Sequence, residues 1–311
     1  MPADIPESIR FLHEIEIGLG AWSWGDRVVW NYGKGYNDAD IESGFNVSVE
    51  NGVCFVDTAD IYGNGRSEHL LGQFLKQNQT PVIVATKFFP LPWRWSKASV
   101  TRALHNSLER LGLERVDLYQ IHWPSPLIPV ETYVEGLASA HRLGLARAVG
   151  VSNYNKNQMQ RAITVLSKYD IPLASNQVEY HLLNRSIEKN GLLARCQELG
   201  IRLIAYSPLA MGLLTGKYNS ENLPPGTRNG KYSSIIKEIQ PLIHLMTSIG
   251  QDLGGKSVAQ VALNWCICKN TLPIPGAKNF HQAEMNAGSI GWRLTGEQIS
   301  KLDAASDQFT K

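Results

Sequence analysis

Four side chains with acid–base chemistry lie at or just after the ends of three consecutive apolar runs of the sequence. Asp57 ends the run 53–57 and Tyr62 follows it, Lys87 ends the run 82–87, and His122 ends the run 116–122. Each has a structural explanation when taken alone, since an aspartate can cap a turn, a tyrosine can pack, a lysine can extend to solvent and a histidine can be satisfied in a core. Gathered at one edge of a fold, such groups are typical of general acid–base catalysis.

Eight short apolar runs rich in Val and Ile have to position these side chains. They occupy residues 17–22, 53–57, 82–87, 116–122, 146–152, 173–180, 201–207 and 271–276. The segments between them have helical periodicity; from 96 to 111 the apolar residues recur at i, i+3 and i+4, and Gly112 provides a C-terminal stop. Alternating strands and helices predict an α/β fold with a parallel sheet, and eight units predict a closed (β/α)8 TIM barrel, a single domain over 1–311.

Catalytic side chains of such barrels project from the C-terminal ends of the strands, so the four titratable residues are expected to converge on one rim. Further polar residues follow the later strands: Ser152, Asn153, Gln177, Tyr206, Ser207 and Lys278. Two irregular stretches, 23–39 and 208–232, come after strands one and seven. Long loops on this face of a barrel tend to be functional.

Seven motifs in order resemble the aldo-keto reductases, over nearly the whole chain. They are FVDTADIYGNGRSE (55–68), VATKF (84–88), LYQIHWP (118–124), VGVSN (149–153), NQVEY (176–180), YSPLAMGLLTGKY (206–218) and PIPGAK (273–278). They are most similar to the bacterial, plastid and potassium-channel β-subunit members. The resemblance implies carbonyl reduction by a catalytic tetrad, which carries over onto Asp57, Tyr62, Lys87 and His122.

The implied reaction transfers hydride from nicotinamide C4 to a carbonyl carbon while Tyr62 protonates the oxygen. A phenol with a reference pKa near 10 is a poor acid until its anion is stabilised, which Lys87 would do. Asp57 would keep Lys87 charged and in place, and His122 would hydrogen-bond the carbonyl oxygen. A glutamate at position 122 would instead resemble the branch that reduces carbon–carbon double bonds.

The cofactor prediction, NADP(H), depends on the resemblance, because the sequence lacks G-x-G-x-x-G and GLLTGKY (212–218) is one residue short of a P-loop. The resemblance implies that Ser152, Asn153 and Gln177 hold the nicotinamide carboxamide and that Tyr206 stacks on its ring. The loop from Ser207 to Lys217, with Pro208, Leu209 and Gly212, would cover the pyrophosphate. Beyond Gly276, Lys278 would bind the 2′-phosphate and Asn286 the adenine. Gln282 and Asn279 replace an arginine and a Ser or Thr of many relatives, which predicts a modest preference for NADPH.

Tryptophans placed just after strand ends are the candidates for the substrate pocket. They are Trp22, Trp93 and Trp123, with Trp24, Trp30 and Trp95 as further candidates. Aromatic walls suit apolar or aromatic aldehydes. The sequence ends shortly after a helical segment at 295–306. The extended C-terminal substrate loop of some relatives is therefore expected to be missing, and the pocket to be permissive.

The balance of charges gives no indication of a polyanion partner. Thirty basic and 28 acidic residues give a formal charge of +2, without a basic run that would predict nucleic-acid binding. No apolar run reaches about 18 residues and the N-terminal MPADIPESIR is unlike a secretory signal. We expect a monomer without membrane contact that acts on a small carbonyl compound, in the cytoplasm, or in the plastid stroma after removal of a transit peptide. The four cysteines predict buried thiols and no metal site.

Two other functions fit the same residues. Lys87 beside Tyr62 and Asp57 could form a Schiff base, as in barrel aldolases, which would make the protein a lyase. Alternatively the chain could be a slowly turning over, redox-sensing binding protein like the channel β-subunits. Borohydride trapping would reveal the first, and tight NADPH binding with near-zero turnover would favour the second.

Overall fold

A computed structural model describes residues 5–224, 230 and 234–309. Eight parallel strands pair in sequential order. They are β1 (Leu19–Gly20), β2 (Phe55–Asp57), β3 (Ile83–Phe88), β4 (Val116–Ile121), β5 (Ala146–Ser152), β6 (Leu173–Glu179), β7 (Arg202–Tyr206) and β8 (Leu272–Ile274). The sheet closes where Gly20 bridges to Gly276 and the Gly18 N–H donates to the Pro273 carbonyl at 2.9 Å. The predicted barrel is confirmed, with a strand in each of the eight predicted runs.

Apart from the first, which precedes β1, the helices of the described residues lie on the outside of the barrel. In chain order they are α1 (Glu7–Arg10), α2 (Asp38–Glu50), α3 (Arg66–Gln77), α4 (Lys97–Leu111), α5 (Val130–Arg142), α6 (Lys156–Leu166), α7 (Ser186–Lys189), α8 (Leu192–Glu198), α9 (Gln240–Asp252), α10 (Val258–Cys268), α11 (Phe280–Ala287) and α12 (Gly296–Ser306). The helix predicted at 96–111 is α4. Ser96 caps its first turn and Gly112, at φ 67°, ends it in the left-handed conformation that glycine adopts easily.

Strand alternation divides the barrel interior into an apolar and a polar layer. Residues two apart share a face, so Phe55, Ala85 and Leu118 line the lower interior, where Ile9 of α1 and Leu12, just after that helix, pack against them. The next inward positions are Asp57, Lys87 and Gln120, all buried at the C-terminal ends of the same strands. Outward positions such as Val84, Tyr119 and Val149 belong to the core beneath the helices. The polar layer is therefore held by a rigid apolar base.

The four cysteines are only partly as predicted, because Cys196 and Cys266 are buried while Cys54 and Cys268 are half-buried. Within the described residues, no helix is long and apolar enough to cross a membrane. The irregular stretch at 208–232 lies partly outside the described residues. The extent of the domain, 1–311, stays a prediction.

Candidate active site

Lys87 connects Asp57 and Tyr62 beneath the rim. Its side chain is 0% exposed. The ammonium pairs with the Asp57 carboxylate and donates to the Thr58 carbonyl at 2.8 Å and to the Tyr62 hydroxyl at 3.3 Å. All three ammonium protons thus have a partner, which fixes the nitrogen beside the phenol.

The second oxygen of Asp57 accepts hydrogen bonds from two side-chain amides across the barrel interior, on β4 and β6. Gln177 donates to Oδ1 at 2.8 Å and Gln120 at 3.2 Å. Gln120 lies opposite Lys87 in the β3–β4 register. Gln120 was not among the predicted site residues, although the alternation in VDLYQIH (116–122) places it on the same face as Leu118 and His122. With both oxygens occupied, the Asp57 carboxyl group is fixed in position beside Lys87.

Burial and charge act in opposite directions on these groups. Burial lowers the pKa of Lys87, but Asp57 and Tyr62 outweigh it and leave that pKa raised, so the side chain is an ammonium at neutral pH. For Tyr62 burial is the larger effect and raises the phenol pKa, while Lys87 opposes it. Burial, with a contribution from Lys87, holds the pKa of His122 well below its usual value. The site therefore combines a protonated phenol, a fixed cation and a neutral imidazole.

Two aromatic contacts orient the imidazole of His122. Its ring lies edge to face with Tyr62 at 5.5 Å and with Phe89 at 5.4 Å between centroids. Its Nδ1 is buried and makes no hydrogen bond among the described residues. Ring packing rather than a hydrogen bond at Nδ1 therefore fixes the direction of the imidazole.

A cavity of about 890 Å³ opens from the tetrad across the rim of the barrel. Tyr62, His122 and the Asp57 carboxyl line it, while Lys87 lies behind them. All thirteen residues predicted to bind the cofactor also line it: Ser152, Asn153, Gln177, Tyr206, Ser207, Pro208, Leu209, Gly212, Lys217, Gly276, Lys278, Gln282 and Asn286. The barrel thus brings residues spread over about half the chain to one surface.

Next to the tetrad, the ends of β5, β6 and β7 carry a linked set of polar groups. The Tyr206 hydroxyl donates to the side-chain oxygen of Asn153 at 3.1 Å, and the Asn153 amide donates to the Ser152 hydroxyl at 3.0 Å. Ser152 in turn donates to the Gln177 carbonyl at 2.8 Å. Asn153 and Ser207 are left-handed, at φ 62° and 51°, a conformation that non-glycine residues adopt mainly where the surroundings require it. An aromatic face beside fixed amide groups suits a carboxamide-bearing ring.

The far end of the cavity is suited to phosphate groups. Lys217 and Lys278 line it, together with Ser257, which caps the first turn of α10. A helix N-terminus and two ammonium groups favour anions. The Lys278 ammonium lies 4.6 and 4.5 Å from the ring centroids of Trp30 and Tyr36, so a cage of two aromatic faces surrounds it.

At the same end two predicted ligands bond to the protein backbone. The Gln282 side-chain oxygen accepts from the Lys278 N–H at 3.0 Å, and the Asn286 amide donates to the Gly276 carbonyl at 3.2 Å. Both bonds hold the segment after β8 in place. The cations, the helix terminus and the amide-lined pocket fit a phosphorylated dinucleotide such as NADP(H).

Comparison with known proteins agrees with this geometry. The model of the aldo/keto reductase family matches residues 16–307. This chain belongs to that family. It is 40% identical to a chloroplastic pyridoxal reductase of Arabidopsis thaliana, over 95% of this chain and 84% of the relative. It is also 32% identical to an L-glyceraldehyde 3-phosphate reductase of Escherichia coli, over 81% and 79% of the two chains.

Among solved structures, this aldo-keto reductase is similar to one from Klebsiella pneumoniae in complex with NADPH. The TM-score is 0.72 at 29% identity, over 93% of this chain and 90% of the other. The predicted family, the enzyme class of NADP-dependent oxidoreductase and the cofactor NADP(H) are confirmed. The roles of the individual residues stay predictions.

The tryptophans of this aldo-keto reductase are divided between the cavity and other places. Trp22 and Trp123 line the cavity as predicted, and so does Trp30. Trp93 is corrected: it is 67% exposed and does not line the cavity, because the neighbouring Arg94 turns inward to pair with Asp60. The further candidates Trp24 and Trp95 lie in the core and on the surface, respectively. Phe89, which was not among the predicted site residues, follows β3 directly and lines the cavity.

Proposed function

We propose that this chain reduces aldehydes with NADPH and that Tyr62 is the proton donor. The observation that carries the proposal is the buried ammonium of Lys87, held between the Asp57 carboxylate and the Tyr62 hydroxyl at the cavity wall. A buried lysine fixed as a cation beside a phenol stabilises the phenolate that proton donation leaves behind.

The cavity supplies a place for each part of the cofactor. Ser152, Asn153 and Gln177 would hold the carboxamide and Tyr206 the nicotinamide ring, whereas Lys217 and the loop from Ser207 to Gly212 would hold the pyrophosphate. Lys278 would bind the 2′-phosphate, and Gly276, Gln282 and Asn286 would form the adenosine end. NADPH, when bound, supplies hydride to the carbonyl carbon.

The side chains of the tetrad supply the proton to the substrate oxygen and stabilise the phenolate that remains. Tyr62 donates its phenolic proton to the carbonyl oxygen, and the ammonium of Lys87 stabilises the phenolate. Because burial raises the phenol pKa, Tyr62 is fully protonated at neutral pH before each turnover. Burial lowers the pKa of His122, so its imidazole is neutral. It hydrogen-bonds the carbonyl oxygen and directs that oxygen toward Tyr62.

The substrate end of the cavity favours planar aromatic aldehydes. Trp22, Phe89 and Trp123 line it, and the Trp22 and Tyr62 rings lie 6.5 Å apart. Aromatic walls bind flat rings by stacking and by burial of apolar surface. Together with the relative named pyridoxal reductase, this supports pyridoxal, reduced to pyridoxine, as the first compound to test.

The experiment compares pyridoxal, benzaldehyde and a short aliphatic aldehyde by the loss of NADPH absorbance, with oxidation of pyridoxine by NADP⁺ as the reverse reaction. We expect the aromatic aldehydes to be reduced best. Tight NADPH binding without turnover of any of the three would contradict the proposal and favour a redox-sensing binding protein. The Schiff-base alternative requires a neutral, accessible amine, whereas Lys87 is 0% exposed and charged.

We propose that the chain acts on small carbonyl compounds as a monomer. A location in the cytoplasm or in the plastid stroma stays a prediction.

A further inference from the structure

A buried ion pair holds the peptide group of the cavity residue Phe89. One oxygen of Asp60 accepts from the Phe89 N–H at 3.1 Å, and the other pairs with Arg94. Arg94 in turn donates to the Phe89 carbonyl at 3.1 Å. The Asp60 side chain is 3% exposed. The N–H and the carbonyl of a single residue are therefore both bound by this pair, which we call the Asp60–Arg94 clamp.

The clamp lies between segments that carry the tetrad. The backbone N–H of Asp60 donates to the Lys87 carbonyl at 3.2 Å, and Asp60 comes two residues before Tyr62. On the other side, the Phe89 ring lies against His122 at 5.4 Å and lines the cavity. The Tyr133 hydroxyl donates to the Arg94 carbonyl at 2.8 Å and so ties the loop after β3 to α5.

Burial disfavours the ionised form of the Asp60 carboxyl group in the folded chain. Burial raises the pKa of Asp60 from 3.8 to about 6, although Arg94 and the Phe89 N–H act in the opposite direction. The other groups that face Asp60 are Glu68 on α3, a like charge, and the phenols of Tyr62 and Tyr119. When folding raises the pKa of a carboxyl group, ionisation of that group at neutral pH lowers the free energy of unfolding. What the ionised form provides is the position of Phe89.

We propose that Asp60, through its pairing with Arg94, is a positioning residue that holds Phe89 against His122 and thereby sets the aldehyde-binding end of the cavity. The inference rests on the proposed reductase function. Asp60 is not expected to touch the substrate or the cofactor. Loss of the clamp should therefore weaken aldehyde binding and leave NADPH binding unchanged.

The clamp has a pH signature. As the pH falls through about 6, Asp60 takes up a proton and loses its charge pairing with Arg94. The KM for the aldehyde should rise below this pH in the wild type, while the dissociation constant for NADPH stays constant. Asp60→Asn should have the raised KM at every pH, without the inflection near 6.

A matched control is available in Glu68→Gln. Glu68 is 0% exposed, pairs with Arg110 and accepts a hydrogen bond from the Thr86 hydroxyl at 2.5 Å, but within the described residues it makes no hydrogen bond or ion pair with the loop after β3. We expect Asp60→Asn to raise the aldehyde KM about tenfold, the effect of one lost charge-assisted hydrogen bond, with little change in kcat. Its thermal stability at neutral pH should equal or exceed that of the wild type. Glu68→Gln should keep the wild-type KM at neutral pH and should retain an inflection, moved to lower pH because a like charge facing Asp60 has been removed.

A second measurement is independent of turnover. Hydrogen exchange over residues 88–96 should be faster in Asp60→Asn than in the wild type and in Glu68→Gln. Unchanged exchange there, or an unchanged KM profile in Asp60→Asn, would overturn the clamp. A wild type that reduces no aldehyde would overturn the proposed function instead, and the exchange comparison would still decide whether the clamp holds the loop.

Discussion

Removing the Tyr62 hydroxyl, or the charge beside it, tests the proposed chemistry most directly. Tyr62→Phe keeps the ring against Trp22 and His122 and deletes only the proposed acid. Lys87→Met keeps most of the side-chain volume and deletes the cation. Both variants should still bind NADPH, because neither residue belongs to the proposed cofactor contacts.

The distance between the two groups sets the size of the effect. With 3.3 Å between Lys87 Nζ and Tyr62 Oη, Coulomb's law at an effective dielectric constant of about 20 gives roughly 5 kcal/mol as an upper bound on phenolate stabilisation. At about 1.4 kcal/mol per factor of ten, the Lys87→Met rate should fall by at most about 10³–10⁴. Tyr62→Phe should cost about 10²–10⁴, the usual contribution of a positioned general acid. The double variant should be scarcely worse than either single one, because the two residues act as a unit.

The assay follows single-turnover NADPH oxidation with an aromatic aldehyde, after NADPH binding is measured by quenching of tryptophan fluorescence. Tyr154→Phe is the matched control, because the Tyr154 hydroxyl is buried without a hydrogen bond among the described residues and lies outside the cavity. The control should keep the wild-type rate. If Tyr62→Phe kept most of its rate, or if the losses of the two single variants multiplied in the double variant, the tyrosine-centred mechanism would be refuted.

Three further predictions address the cofactor and the imidazole. Lys278→Met should raise the KM for NADPH about 10- to 100-fold and leave that for NADH nearly unchanged, since only NADPH carries the 2′-phosphate; equal effects on both cofactors would remove Lys278 from this role. Trp30→Ala should weaken NADPH binding in a fluorescence titration because it opens the cage around Lys278, whereas the surface substitution Trp95→Ala should not. Because folding lowers the pKa of His122, the unfolded chain binds more protons than the folded chain below about pH 6.5. The free energy of unfolding therefore decreases as the pH falls below that value. His122→Gln should lose that part of the acid sensitivity in thermal unfolding measured across this range, and an unchanged pH slope would argue that folding does not lower the pKa of His122.

Local patterns in the sequence determined the elements and most of the rim. A strand has a period of two, so the run that ends in Lys87 also defines which of its neighbours face inward. Because parallel strands align their C-terminal ends, Asp57, Lys87 and His122 had to meet at one rim without any knowledge of loop geometry. The same local logic placed α4 between Ser96 and Gly112, where the capping residues end the helical pattern.

Tertiary structure alone decided the contacts that depend on how distant segments approach. Nothing near Trp93 in the sequence indicates that Arg94 finds Asp60, 34 residues earlier, and so leaves the tryptophan in solvent. The pKa of Tyr62 also depends on tertiary structure. The residue types alone predict that Lys87 lowers this pKa, but the pKa is raised because the folded barrel removes water from the phenol. Side-chain types and strand periodicity are properties of the chain, whereas desolvation and loop pairing exist only once the barrel has closed.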